Sequence, residues 1–67
     1  MEADDKVNIL VIDDLAENLL AMRLILESLG QNVVTARSGR EALRCLLERD
    51  FAVILIDVNM PGLTPVR

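Results

Sequence analysis

A chain of 67 residues is shorter than an ordinary domain, and one cysteine without any histidine provides neither an internal disulfide nor a zinc site. Its composition, 52% hydrophobic and 27% charged, is still that of a folded globular protein. A net charge of −4 and a single aromatic residue, Phe51, argue against nucleic-acid binding. We therefore expect one small domain that needs oligomerisation, or the rest of a larger protein, to complete its core.

The amino terminus and the length of the apolar runs indicate the cellular compartment of the protein. Residues 1–6 include three acidic residues and one basic residue, whereas a secretory signal begins with a positively charged region. Every apolar run is far shorter than the ~20 residues of a membrane-spanning helix. The sequence therefore predicts a cytoplasmic protein without a membrane segment, and a lone thiol suits that reducing compartment.

The first strand and helix are predicted from their hydrophobic patterns. Residues 7–12 form an apolar run, typical of a strand buried on both faces, which ends at Asp13 and Asp14. Residues 15–29 have helical periodicity, and Gly30 follows as a left-handed cap. The helix residues predicted to face the core are Leu15, Leu19, Met22, Ile25, Leu26 and Leu29.

The same alternation of elements then repeats. Residues 32–36 are predicted as a second strand, and Ser38 with Glu41 form a capping box at the start of a second helix. Residues 51–56 are predicted as a third buried strand, which ends at Asp57, and 59–62 have turn composition. The predicted apolar face of the second helix comprises Ala42, Leu43, Leu46 and Leu47, with Cys45 beside it. The predicted solvated basic residues are Arg37, Arg40, Arg44 and Arg49.

These elements predict an α/β fold with a three-stranded parallel sheet in the order 2-1-3 and one helix on each face. Ligands bind where the strand order of such a sheet reverses, outside the carboxyl ends of the strands. Asp13, Asp14 and Asp57 should converge at that point. Three carboxylates with hard oxygen ligands suit Mg²⁺, and a carboxylate beside Mg²⁺ is suited to attack phosphorus and form an aspartyl phosphate.

Three motifs resemble the receiver domain of two-component response regulators. They are Val-Ile-Asp-Asp at 11–14, Ser-Gly-Arg-Glu-Ala-Leu at 38–43 and Ile-Asp-Val-Asn-Met-Pro-Gly at 56–62. Residues 6–62 are similar to the family, and 63–67 form an atypical tail. Asp-Asp-Leu-Ala-Glu-Asn at 13–18 is similar to the receivers of hybrid sensor kinases.

The resemblance implies a flavodoxin-like fold and a role for each acidic residue. Asp57 would be the phosphoacceptor, and a phosphohistidine on a histidine kinase or phosphotransfer protein would be the donor. Asp14 would bind Mg²⁺ directly, Asp13 mainly through water, and Asn59 through its backbone carbonyl. The module would be a phosphoacceptor rather than a turnover enzyme.

The sequence also departs from the family. A receiver has five strands, and this chain resembles the first half, so we expect a truncated receiver. The hydroxyl residue after strand 4 and the lysine after strand 5 have no counterpart, and Lys6 lies at the opposite end of the first strand. The resemblance therefore predicts impaired phosphotransfer.

Two alternative functions remain open on the sequence. The uncovered edge of the third strand is a pairing template, which favours a self-associating interaction fragment, most simply a homodimer through antiparallel pairing of this strand with its twofold mate. A small Mg²⁺-dependent phosphohydrolase is the weaker alternative. Haloacid-dehalogenase-like enzymes carry Asp-x-Asp after their first strand, and Asp13-Asp14 does not supply it.

Overall fold

Apolar runs separated by amphipathic helices build the fold, which a computed structural model describes for residues 6–57. The element order is β1 Asn8–Ile12, α1 Ala16–Ser28, β2 Asn32–Ala36, α2 Gly39–Glu48 and β3 Val53–Ile56. All strand pairs are parallel, in the order β2-β1-β3, which confirms the predicted topology. The predicted turn at 59–62, the tail at 63–67 and the Asn59 ligand lie outside the described residues.

Helix α1 ends in the left-handed cap that Gly30 predicts. Gly30 has a φ of 87°. Its N–H donates to the carbonyl of Glu27 at 2.9 Å, and the N–H of Gln31 donates to that of Leu26 at 3.2 Å. These two bonds form a Schellman motif, which satisfies carbonyls at the end of the helix.

Helix α2 begins with only half of the predicted capping box. The Ser38 hydroxyl accepts the N–H of Glu41 at 3.1 Å, as expected. The Glu41 carboxylate, however, accepts the N–H of Arg37 at 2.8 Å rather than that of Ser38. Because the β2 ladder ends at Ala36, the N–H of Arg37 is the donor that needs a partner.

The helices pack on opposite faces of the sheet, as predicted. On one face, α2 and the strands form a core of Leu10, Ile12, Ala36 and Ala42, with Val34, Cys45 and Phe51 packed against it. On the other face, α1 and the strands form a core of Ile9, Val11 and Leu19, with Met22, Leu26, Val33 and Leu55 packed against it. Cys45 therefore packs as a small hydrophobic side chain.

The predicted apolar faces of the helices are too wide. Ile25 of α1 is exposed, as are Leu15 and Leu29, which flank that helix. In α2, Leu43, Leu46 and Leu47 are exposed. Leu47 reaches 80% exposure. Three strands spaced about 4.8 Å apart make a sheet roughly as wide as one helix, so each helix buries only a narrow stripe of residues.

Strand β3 is the least covered strand. Both helices lie over β1 and β2, and Val53, Ile54 and Ile56 are 43%, 43% and 51% exposed. Among residues 6–57, β3 pairs with β1 alone. Neither described helix has the length and apolar character required to cross a membrane.

Candidate functional site

The acidic residues meet at one edge of the sheet because β1 and β3 end level with each other. Ile12 and Ile56 are register partners, and the acids follow them directly. The N–H of Asp57 donates to the carbonyl of Ile12 at 3.0 Å, which fixes the start of the loop after β3 against β1. The strand pairing therefore brings together residues more than forty positions apart along the chain.

The three carboxylates form one cluster. Asp13, Asp14 and Asp57 each offer an oxygen, and these oxygens all lie within 4.8 Å of one another. Asp13 is 9% exposed, Asp14 is exposed and Asp57 is half-buried. Asp13 and Asp57 also line an open depression of about 210 Å³ beside Met22 and Leu55. The predicted convergence of the three acids is thus present, and the fourth predicted ligand, Asn59, falls outside the described residues.

Asp13 is held in place by hydrogen bonds to both of its carboxylate oxygens. The N–H of Leu15 donates to Oδ1 and the amide of Asn18 donates to Oδ2, each at 3.0 Å. The Leu15 N–H chiefly lowers the pKa of Asp13, burial opposes this, and hydrogen bonds with Asn18, Asp57 and Asp14 contribute further lowering. Asp13 is therefore held ionised and oriented at the end of β1.

Asn18 is a site residue that sequence reasoning missed. Leu15, the residue that precedes α1, has no side chain capable of capping the helix. Asp13 accepts a hydrogen bond from the backbone of Leu15, and Asn18 reaches back from the first turn to the other oxygen of Asp13. An amide five residues after an acid at a strand end is the sequence signal that points to this contact.

Arg37 is a second residue whose contact was not foreseen. It was predicted to lie on a solvated basic face, yet its Nη2 donates to the backbone carbonyl of Asp14 at 3.2 Å. This bond joins the loop after β2 to the loop after β1. The long side chain makes the contact across 23 positions of sequence, so no local pattern indicates it.

The donor set fits a hard divalent cation. Opposite oxygens of an Mg²⁺ octahedron are about 4.2 Å apart, so a cluster spread over 4.8 Å requires only small side-chain movements. Each carboxylate oxygen has more than one acceptor direction, so Asp13 keeps acceptor capacity beyond its two hydrogen bonds. Because all three ligands offer oxygen atoms, the site does not favour soft metals, which prefer sulfur ligands.

The sequence model of a family described as the response regulator receiver domain matches residues 9–66. The chain belongs to this family. The receiver is 43% identical over 58 residues to the virulence sensor protein BvgS of Bordetella pertussis, covering 87% of the chain and 5% of BvgS. It is 41% identical over 56 residues to the transcriptional regulatory protein ZraR of Escherichia coli O157:H7, covering 84% of the chain and 13% of ZraR.

Solved receiver structures resemble it closely. The chemotaxis response regulator CheY4 of Vibrio cholerae superposes with a TM-score of 0.82 at 37% identity, over 88% of this chain and 49% of CheY4. A receiver domain protein from Clostridium thermocellum gives 0.80 at 38% identity, over 87% and 48%. The chain thus spans about half of each solved chain and a small part of the curated relatives. These matches confirm the flavodoxin-like fold and the assignment of the chain to the receiver domains of two-component response regulators.

Proposed function

We propose that this receiver accepts a phosphoryl group on Asp57 from a phosphohistidine of a histidine kinase or phosphotransfer protein. The observation that carries the proposal is the convergence of Asp13, Asp14 and Asp57 within 4.8 Å from the ends of two paired strands. Sensor proteins and a regulatory protein among the relatives support the class of partner. A cytoplasmic location belongs to the same proposal.

Each residue of the cluster has a proposed role. Asp13, Asp14, Asp57 and the backbone carbonyl of Asn59 are the proposed ligands of Mg²⁺. When bound, the cation supplies positive charge between the carboxylates and the phosphoryl oxygens. Asp13, fixed by Leu15 and Asn18, keeps an ionised oxygen at the metal site.

The proposed transfer is a displacement at phosphorus. A carboxylate oxygen of Asp57 forms the O–P bond as the N–P bond of the phosphohistidine breaks. The electron pair of the broken bond stays on the imidazole, which takes up a proton from solvent where required. The hydrogen bond from the Asp57 N–H to Ile12 holds the acceptor's backbone throughout.

We propose further that the 67-residue chain transfers phosphate slowly. Lys6 is its only lysine and precedes β1, whereas the carboxylates follow β1. Seven extended residues span about 23 Å, so Lys6 lies too far from Asp57 to pair with a phosphoryl group there. Among residues 6–57, Arg37 brings a positive charge to the acidic loop, where it touches the Asp14 backbone.

The test is phosphorylation by a small donor. The chain is incubated with acetyl phosphate and Mg²⁺, and with beryllofluoride as a phosphate mimic, and adducts are measured by mass spectrometry and NMR. We expect a slow adduct on the native chain, none on Asp57→Asn, and an unchanged adduct on Asp50→Asn, an exposed aspartate after α2. No adduct on the native chain, or an equal adduct on Asp57→Asn, would overturn the proposal.

A second proposed activity is self-association through the open edge of β3. It is favoured by the exposed Val53, Ile54 and Ile56 and by the single pairing partner that β3 has among the described residues. An antiparallel pair of β3 strands about a twofold axis would satisfy the edge in both copies and give a six-stranded sheet. The mass of the protein in solution measures this association.

A further inference from the structure

We propose that Arg37 is a positioning residue of the acidic site and that it acts through the backbone of Asp14. The inference rests on the proposed Mg²⁺ role of Asp14. It derives from one long-range contact, the hydrogen bond from Arg37 Nη2 to the Asp14 carbonyl at 3.2 Å. Arg37 would raise the affinity of the site for Mg²⁺ without binding the metal itself.

The backbone of Arg37 is anchored at the start of α2. Its N–H donates to the Glu41 carboxylate at 2.8 Å, and the N–H of Glu41 donates to the Ser38 hydroxyl at 3.1 Å. The preceding residue is anchored as well, because the Ala36 carbonyl accepts the N–H of Asp13 at 3.1 Å. The guanidinium therefore extends from a fixed base toward the loop that carries the acids.

The two acids of this loop are held differently. The carboxylate of Asp13 is bound on both oxygens by Leu15 and Asn18. The backbone of Asp14, an exposed residue, is bound by Arg37. Fixing its carbonyl restricts the rotation of the peptide unit that follows Asp14. This restriction lowers the entropy lost when Asp14 becomes a ligand.

The surroundings of Arg37 allow it to be replaced without damage to the core. Arg37 is exposed, and with Glu41 it lines an open cavity of about 340 Å³ beside α1 and the end of β2. It belongs to neither core cluster. Substitution should therefore alter the acidic loop while the sheet and both helices stay folded.

The positive charge of Arg37 and its hydrogen bond to Asp14 have opposite effects on the affinity for Mg²⁺. A guanidinium near three carboxylates reduces their repulsion in the metal-free chain, and the same charge opposes the arrival of a cation. Removal of charge alone would strengthen Mg²⁺ binding, whereas loss of the hydrogen bond would weaken it. Arg37→Lys retains the charge but lacks the guanidinium Nη2 that makes the contact, and Arg37→Gln removes both the charge and the guanidinium.

The test measures Mg²⁺ affinity by calorimetry and NMR on the full chain, with Arg40→Gln as a control of equal charge change on the exposed surface of α2. Substitution of residues that orient metal ligands typically weakens affinity 10- to 100-fold. We expect about 10-fold weaker binding for Arg37→Lys, which keeps the charge and loses the contact, and a smaller weakening for Arg37→Gln, in which the lost charge favours the cation. Arg40→Gln should bind like the native chain, and metal-free melting temperatures should agree for all four proteins.

The outcomes separate this inference from the proposed function. Native affinity in Arg37→Lys overturns the positioning role of Arg37 and leaves the metal site intact. Equal weakening in Arg40→Gln overturns it also, since the effect would then not depend on the contact between Arg37 and Asp14. Failure of the native chain to bind Mg²⁺ overturns the proposed metal site and the inference together.

Discussion

At the scale of single residues, the acidic site depends on neighbours that hold the Asp13 carboxylate and the Asp14 backbone in place. Asp13 shows this best, because a backbone N–H and the Asn18 amide each bind one of its oxygens. The motif at 11–14 predicted that the acid would lie at the strand end. It could not predict Arg37 as a partner, because that contact depends on how the loops after β1 and β2 fold, whereas Asn18 was missed although its spacing from Asp13 is a local signal.

The lowered pKa of Asp13 makes the free energy of unfolding depend on pH. The folded chain favours the ionised carboxylate more than the unfolded chain does, chiefly through the Leu15 N–H. That contribution to the free energy of unfolding is fully present above the unfolded pKa of about 3.9. It is lost as the pH falls through the lower pKa of the folded state.

We therefore expect Asp13→Asn to have a shallower loss of stability below about pH 4 than the native chain, because the substituted amide does not titrate. Urea unfolding without Mg²⁺, measured in steps from about pH 6 to pH 3, gives the comparison. Asp50→Asn serves as the control and should keep the native slope. Identical acid dependence in Asp13→Asn and the native chain would contradict the assignment.

At the scale of elements, the ends of the helices were predicted better than their faces. Gly30 and Ser38 carry local signals, and both occupy the predicted capping positions. Leu47 and Leu29 obey helical periodicity and are exposed all the same. Periodicity reports which residues share a face, and the width of the sheet decides how much of that face is buried.

Gly30, which follows α1, and Gly39, which begins α2, allow a comparison of glycine in two backbone conformations. Gly30 has a φ of 87°, whereas Gly39, the first residue of α2, does not have a positive φ. We expect Gly30→Ala to lower the free energy of unfolding by about 1–2 kcal/mol, because Cβ is disfavoured in the left-handed region. Gly39→Ala should be neutral or stabilise by up to about 1 kcal/mol, because alanine favours helix.

Urea titrations of both glycine variants, followed by circular dichroism, measure these changes. Changes of the same sign and size in the free energy of unfolding at the two positions would show that the cap does not depend on the left-handed conformation of Gly30.

At the scale of the whole molecule, the sheet order and the placement of the acids followed from the sequence alone. Buried parallel strands with short connections allow few arrangements, and the acids after β1 and β3 then meet by necessity. The open edge of β3 was also foreseen, because its neighbour in a five-stranded receiver has no counterpart among residues 6–57. The prediction that this strand is buried on both faces was wrong, since Val53, Ile54 and Ile56 are exposed. The hydrophobic pattern of one chain does not identify the partner that covers β3, because that partner belongs to the assembly.

The proposed self-association predicts a dimer whose stability depends on concentration. Sedimentation at low micromolar concentration should give twice the mass of the chain, and the melting temperature should rise with concentration. Ile54→Lys places a charge on the exposed β3 strand and should yield monomers, whereas Leu47→Lys, on exposed α2, should remain dimeric. A folded, stable native monomer would overturn the proposal, as would β3 pairing with the second half of a receiver in place of another copy.

The position of β1 has a consequence for how the protein unfolds. Leu10 and Ile12 belong to the core on the α2 face, and Ile9 and Val11 belong to the core on the α1 face. Neither helix can detach without exposing one side of β1 to solvent. Unfolding on one face of the sheet should therefore also expose backbone amides on the other face to hydrogen exchange. The chain is therefore expected to open cooperatively, with β1 amides the slowest to exchange with solvent.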